Sequence, residues 1–263
     1  MNTPAYWRQE IRSGRWRRPT AGLAPGYAQA NLVIVPQEYA GDFELFCQRN
    51  PQPCPLIEVT AAGDPVPYAS APDADLRTDV PLYRVYVEGK LAEEREDLRE
   101  MWQPDLVAFL LGCSFTFEAA LQDAGLPVRH IQMGCNAAMY VTSRPCQPAG
   151  PFAGPMVVSM RPFVPSDVPR VAEITAQYPR AHGAPVHVGD PAALGITDLG
   201  RPDYGDPVPV EPGEVPVFWA CGVTPQAVAV HAQLPLMITH APGHMFITDL
   251  QTGTREPQEV QRS

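Results

Sequence analysis

DLVAFLLGCSFTFEAALQDAG, residues 105 to 125, decides the fold. Leu106 to Leu111 form an unbroken apolar run, Gly112 ends it, and Phe117, Leu121 and Ala124 then recur at helical spacing. Such a run suits a parallel strand covered on both faces, and a buried helix fits it nearly as well. Ser114 stands at an N-cap position with Glu118 in the following turn, close to capping-box spacing. In open α/β sheets, turns from strand to helix gather at one edge, where helix N-termini offer free N–H groups.

A second unit of this kind is VPVFWACGVTPQAVAVHAQL, residues 215 to 234, with Thr224 as cap and Pro225 at the first helical position. Upstream, Thr3-Pro4 opens a helix with Tyr6, Trp7 and Ile11 on one face, stopped by Gly14. NLVIVP (31 to 36) reads as a buried strand, and the next segment places Tyr39, Phe43, Phe46 and Cys47 on one helical face. CPLIEVT (54 to 60) and YRVYV (83 to 87) read as further strands. Between the two units the pattern changes. VRHIQM (128 to 133), AAMYVTS (137 to 143) and MVVSMRPF (156 to 163) are short strands, Ser166 caps DVPRVAEITAQY, and APVHVG (184 to 189) follows. These readings predict an α/β protein: a three-layer αβα main domain, discontinuous over residues 1–125 and 201–263, with a smaller two-layer α+β domain inserted over 126–200.

The chain has 263 residues, 45% of them hydrophobic, enough for one large or two moderate domains. Thirty-two prolines and twenty glycines without a period predict many turns, not low complexity. A net charge of −10 argues against a nucleic-acid partner but leaves room for an anionic metabolite held by local arginines. Six cysteines without a C-x-x-C pair, and no secretory signal, point to a reducing cytoplasm and not to a disulfide framework or a structural zinc site. The arginine-rich opening has an early Glu10 and few serines, unlike a transit peptide. The longest apolar run is far short of the roughly 20 residues of a membrane span. A homo-oligomer, a dimer first, is the expected assembly.

Long ordered blocks carry a resemblance. PTAGLAPGYAQANLVIVP, FCQRNPQPCPLIEV, DLRTDVPLYRVY, DLVAFLLGCSFTFEAAL, GPMVVSMRP, HVGDPAALGI, VFWACGVTPQ and APGHMFITDL resemble the hydro-lyase family related to mitochondrial D-glutamate cyclase. The likeness covers nearly the whole chain. It implies the same two-domain architecture and lyase chemistry on small acids, and it brings no catalytic residues with it.

Loss of water from a hydroxy acid, or ring closure of glutamate to 5-oxoproline, needs a carboxylate clamp, a proton-handling group and oxyanion donors. Arg77 and Arg161 are the candidate clamps, each with a structural ion pair as its alternative reading. Ser114 is a candidate donor or a plain cap, and Cys113 a candidate thiolate or a buried thiol. Glu118 is a candidate general base if desolvation raises its pKa, and His244 a loop acid or base. Thr224 and Gln226 in GVTPQ, and His187 with Asp190 in HVGDP, are candidate substrate contacts; Thr224 also reads as a cap and Asp190 as a turn starter. His240 and His244 have the spacing of a helical metal pair, but Pro242 and Gly243 between them argue against a helix, and no metal is assigned. The sequence lacks G-x-G-x-x-G, Walker, G-x-S-x-G and H-E-x-x-H motifs, so no nucleotide cofactor is expected. The leading expectation is a hydro-lyase or cyclase acting on a small amino or hydroxy acid, linked to D-glutamate or 5-oxoproline. The alternatives are a non-catalytic small-carboxylate-binding or partner subunit and a metal-dependent hydrolase. In the leading reading GCSFTFE and GVTPQ face each other across a cleft on one sheet edge, with Arg161 reaching in from the inserted domain.

Overall fold

The computed structural model describes residues 2–252. Helix α1 (Pro4–Arg12) starts as its sequence predicts, the Thr3 side chain accepting from the Tyr6 amide with Pro4 at the first position. Strand β1 (Tyr27–Pro36) leads directly into α2 (Gln37–Arg49). Then follow β2 (Leu56–Val59), the hairpin β3 (Tyr83–Val87) and β4 (Lys90–Arg95), and β5 (Leu106–Gly112) with α3 (Phe115–Asp123). After α4 (Arg129–Met133) come β6 (Ala138–Pro145), β7 (Pro155–Phe163), α5 (Val168–Ala176) and the two-residue β8 (His187–Val188). The chain continues through β9 (Val215–Ala220), α6 (Thr224–Ala232), β10 (Met237–His240) and β11 (Phe246–Gln251).

Among the described residues the strands form two sheets. The larger runs β2-β5-β1-β10-β3-β4, with β11 sharing an edge of β1 with β10; the smaller runs β6-β7-β9-β8. All pairings are antiparallel. The expected parallel strand at 106 to 111 is therefore antiparallel to both neighbours, and its unbroken apolarity has another cause. Alternate residues feed two cores: Val107, Phe109 and Leu111 pack with α2 and α6, while Leu106, Ala108 and Leu110 pack with Leu76, Val80 and Leu98. Helices cover the first face; irregular segments supply the second. The molecule is mixed α/β, as expected, in the form of two antiparallel sheets with six α-helices among the described residues.

Two further differences bear on the site. VRHIQM, read as a strand, is largely α4. Strand β9, assigned from sequence to the main domain, pairs with β7 and β8 in the smaller sheet, so that sheet draws on residues beyond 200. Helix α3 leaves the larger sheet at Gly112 and packs on the smaller one, where Phe117 and Leu121 meet Phe163, Val217 and Trp219. The seam between the sheets is thus bridged by α3.

Candidate functional site

At that seam lies a partly enclosed chamber of about 20 Å³, the room of one water molecule. The turn from β5 to α3 lines it with Cys113 and Ser114, and the turn from β9 to α6 faces them with Cys221, Gly222 and Val223. The two turns belong to different sheets, not to one sheet edge as expected, and meet because α3 crosses between them.

Arg161 on β7 organises one wall from behind. It is 1% exposed, with its guanidinium carbon 5.3 Å from the Phe117 ring centroid and 5.4 Å from that of Trp219. Its Nε donates to Glu118 Oε1 at 3.0 Å, and one terminal nitrogen donates both to that oxygen and, at 2.9 Å, to Ser114 Oγ. The other donates to Ser159 Oγ at 3.0 Å. A buried cation is tolerated only when paired and hydrogen-bonded, and Glu118, itself 3% exposed, is the counter-charge. Burial pulls the Glu118 carboxyl up, but Arg161 and His130 outweigh it and hold it below the usual carboxylate range. His130 Nε2 stands 3.2 Å from Glu118 Oε1, out of line for a hydrogen bond. Because Ser114 and Ser159 each accept from the guanidinium, their own O–H groups remain available as donors, and both residues line the chamber.

His182 completes the polar lining. Gly112 makes its position possible, since a Cβ there would stand 1.4 Å from the Arg180 carbonyl oxygen. His182 is 1% exposed and has the left-handed φ of 77°, unusual for a residue with a side chain. Its Nδ1 is 2.6 Å from the Gln52 carbonyl oxygen, which only accepts, so Nδ1 carries the proton. Nε2 is left unprotonated, buried and without a partner. Burial lowers the imidazole pKa to about 4, with the Arg161 charge adding in the same direction.

Two asparagines close the chamber, each in a cradle that a Cβ would fill. Asn31 on β1 donates to the Gly112 carbonyl at 2.5 Å, and a side chain at Gly222 would come within 1.9 Å of its amide nitrogen. Asn136 lies against Gly243 in the same way, at 2.6 Å, where φ is +82°. Asn136 also lines an open pocket of about 430 Å³ with Arg84, Tyr204 and His244. Asn136 is thus shared between the small inner chamber and the roomier outer pocket, which Glu94, Asp203 and Asp206 also line.

A family model described as D-glutamate cyclase matches residues 107–249. Bacterial proteins bearing the name "putative hydro-lyase" align along almost the whole length. The protein of Rubrobacter xylanophilus is 66% identical over 242 residues, covering 92% of this chain and 93% of its own. That of Geobacillus kaustophilus is 60% identical over 93% of each, and that of Stutzerimonas stutzeri 60% identical over 95% of this chain and 94% of its own. The chain belongs to the D-glutamate cyclase family. The stretch matched to the family model holds every chamber residue named above except Asn31.

Of the candidates chosen from sequence in this cyclase-family chain, Ser114 and Cys113 line the chamber, and Arg161 and Glu118 sit directly behind Ser114. Ser114 occupies the N-cap position of α3 but makes no side-chain cap bond, its oxygen being engaged by Arg161. Two chemical expectations are corrected. Burial pushes the Cys113 thiol well above its usual range, so no thiolate forms there, and Glu118 is held ionised against Arg161 with its pKa lowered, not raised toward neutrality. Thr224 is fully buried, accepts from the Val157 amide at 3.0 Å and donates to the Cys221 carbonyl at 2.7 Å, tying its turn to β7. Gln226 joins the His240 carbonyl to Arg84 and Tyr86.

The others lie elsewhere. Arg77 is held by Asp75 through two hydrogen bonds of 2.9 and 2.8 Å and is not among the chamber residues. His187 donates to the Asp190 carbonyl, and the Asp190 side chain accepts from the Ala192 amide, so HVGDP forms a turn away from the chamber. His240 ends β10 and is fully buried, whereas His244 lies beyond a turn in the outer pocket, so no helix face presents the pair. Among the described residues no group of three or more His, Cys, Asp or Glu side chains is arranged to hold a metal ion. Asn31, Asn136, Ser159 and His182 escaped the reading of the sequence, although Ser159 shares a face of β7 with Arg161, two residues on.

Proposed function

We propose that the chain is a lyase that removes or adds water at a small amino or hydroxy acid, ring closure of an amino dicarboxylate included. The names of its relatives and family support this class. One observation carries the substrate class: a lone acceptor, His182 Nε2, shares a chamber with two guanidinium-backed hydroxyl donors, Ser114 and Ser159. A ligand that satisfies all three brings a carboxylate for the hydroxyls and an N–H or O–H for the imidazole. Amino and hydroxy acids have that pattern. The chamber has the room of one water molecule, so an acid enters only as the lining around Asn136, shared with the outer pocket, gives way, and the remainder of the molecule extends into that pocket.

A small anionic metabolite is accordingly the partner, and no helix among the described residues is long and apolar enough to cross a membrane. Six unpaired cysteines and bacterial relatives favour a cytoplasmic setting. A symmetric homo-oligomer follows the common habit of metabolic enzymes, and light scattering at micromolar concentration tests it. The reaction is tested by NMR on purified protein incubated with D- and L-glutamate, 5-oxoproline and small hydroxy acids. Turnover of at least one is expected; ligand binding without product from any of them would instead mark a non-catalytic binding protein.

A further inference from the structure

We propose that His182 carries the proton of the reaction, its Nε2 taking it from a substrate N–H or O–H and returning it to the departing oxygen. The inference rests on the lyase reading above. Its physical basis is the fixed tautomer. With Nδ1–H held by the Gln52 carbonyl at 2.6 Å, the ring cannot turn away, and Nε2 is the polar atom left for the chamber. The left-handed backbone at His182 is held by a return bond from the Gly183 amide to the Tyr178 carbonyl at 3.0 Å. Strain retained in this way is characteristic of residues kept for a task.

The surroundings match that role. The charged neighbour is Arg161, neutralised by Glu118, with His130 behind it; the Cys113 and Cys221 thiols on the same chamber wall are both held protonated by burial. Within the chamber lining His182 is thus the base at hand, the Glu118 carboxylate behind it being committed to Arg161. The low basicity of His182 disfavours removal of a proton from carbon or from a free ammonium, so the ring takes the nitrogen proton that turns acidic as the C–N bond forms, and its imidazolium is a ready donor to a leaving oxygen. Ring closure of an amino dicarboxylate illustrates the balance. The substrate reacts as its amine and carboxylic acid tautomer: the nitrogen gives up one proton as the C–N bond forms, the departing hydroxyl gains one as the C–O bond breaks, and water leaves. His182 carries that proton across and ends unprotonated at Nε2, while the Ser114 and Ser159 hydroxyls face the oxyanion formed between the two steps. No oxidant or other reactant is needed.

The test uses protein labelled with ¹⁵N-histidine, read by NMR near neutral pH with and without D-glutamate and 5-oxoproline, beside turnover by wild type and His182→Asn. Asparagine is chosen because it tolerates the left-handed backbone. Nε2 should be free of hydrogen before addition and should shift on ligand binding. His182→Asn should bind within ~3-fold of wild type and lose ~100-fold or more in turnover, the scale of a missing acid–base group. A proton resident on Nε2, or equal turnover by variant and wild type, overturns the role of His182 alone. If the wild type neither binds nor turns over any tested acid, the lyase reading falls and this role falls with it.

Discussion

Arg161 donates a 2.9 Å hydrogen bond to Ser114, across the seam between the two sheets. The chamber thus has a wall whose hydroxyls are oriented by a charge that does not itself line it. Arg161→Lys should damage both ligand affinity and stability, since one ammonium cannot serve Glu118, Ser114 and Ser159 from a single point. Arg161→Met, which strands Glu118, should cost about 3–5 kcal/mol. Urea unfolding checks both variants, and Arg161→Met being as stable as wild type would contradict the account.

Ser114→Ala should cost about 1–3 kcal/mol by leaving a buried guanidinium N–H without an acceptor, and not by uncapping α3, which the Ser114 side chain does not cap. A double-mutant cycle with Arg161→Met separates the two mechanisms. Loss of the Ser114 effect in the Arg161→Met background supports the guanidinium account, whereas persistence of the full effect would point to the helix.

Acid should weaken the fold through its buried histidines. His182 and His240 are buried with pKa values lowered by desolvation from 6.5 to about 4. The unfolded chain binds more protons between those values, so stability is full above pH 6.5 and falls as the pH drops toward 4. A shift of this size corresponds to about 3 kcal/mol for each histidine. Glu118 extends the decline to lower pH, since Arg161 and His130 outweigh its desolvation and depress its pKa. Urea midpoints measured from neutral to mildly acidic pH should follow this slope, and His182→Asn should flatten it.

Gly222→Ala should abolish ligand binding by driving a methyl group into the Asn31 amide, which lies 1.9 Å from the place of the new Cβ. Adding Asn31→Ala should restore part of the lost thermal stability without restoring binding. Failure of the second change to recover any stability would show that the clash lies elsewhere.

The chamber cysteines should be inert. Burial pushes Cys221 up to about 11 and Cys113 higher still, so native protein near pH 8 should take up iodoacetamide at the half-buried Cys135 well before either. Mass spectrometry of labelled peptides checks the order, and rapid labelling at Cys113 would restore the thiolate reading.

Sequence periodicity exposed most elements with an apolar face, and missed an edge strand that lacks one. The strand at 106 to 111 was legible, but its direction was not, because an apolar run covered on both sides looks the same in either kind of sheet. Strand β4, KLAEER, lies at a sheet edge and carries charges where a core strand has apolar residues. Within the site, Arg161 stood out as a charge inside an apolar strand, and Ser114 stood at a turn from strand to helix. His182 offered no such signal. It follows a short 3-10 turn in PRAHG, and its importance arises from a carbonyl at residue 52 and a glycine at 112. Asn31 was hidden for the same reason, since its role depends on Gly222 far along the chain.

The β1 strand sits in the middle of the larger sheet and contributes Asn31, whereas the last strands to join that sheet flank the turn bearing Gly243. Nearly the full length of the polypeptide must therefore be synthesised before the chamber has its complete lining. Pairings between such distant segments form late, after much loop entropy has been lost. Ligand-binding competence should consequently appear as the last event of refolding, and a fragment ending before β10 should be unable to acquire it.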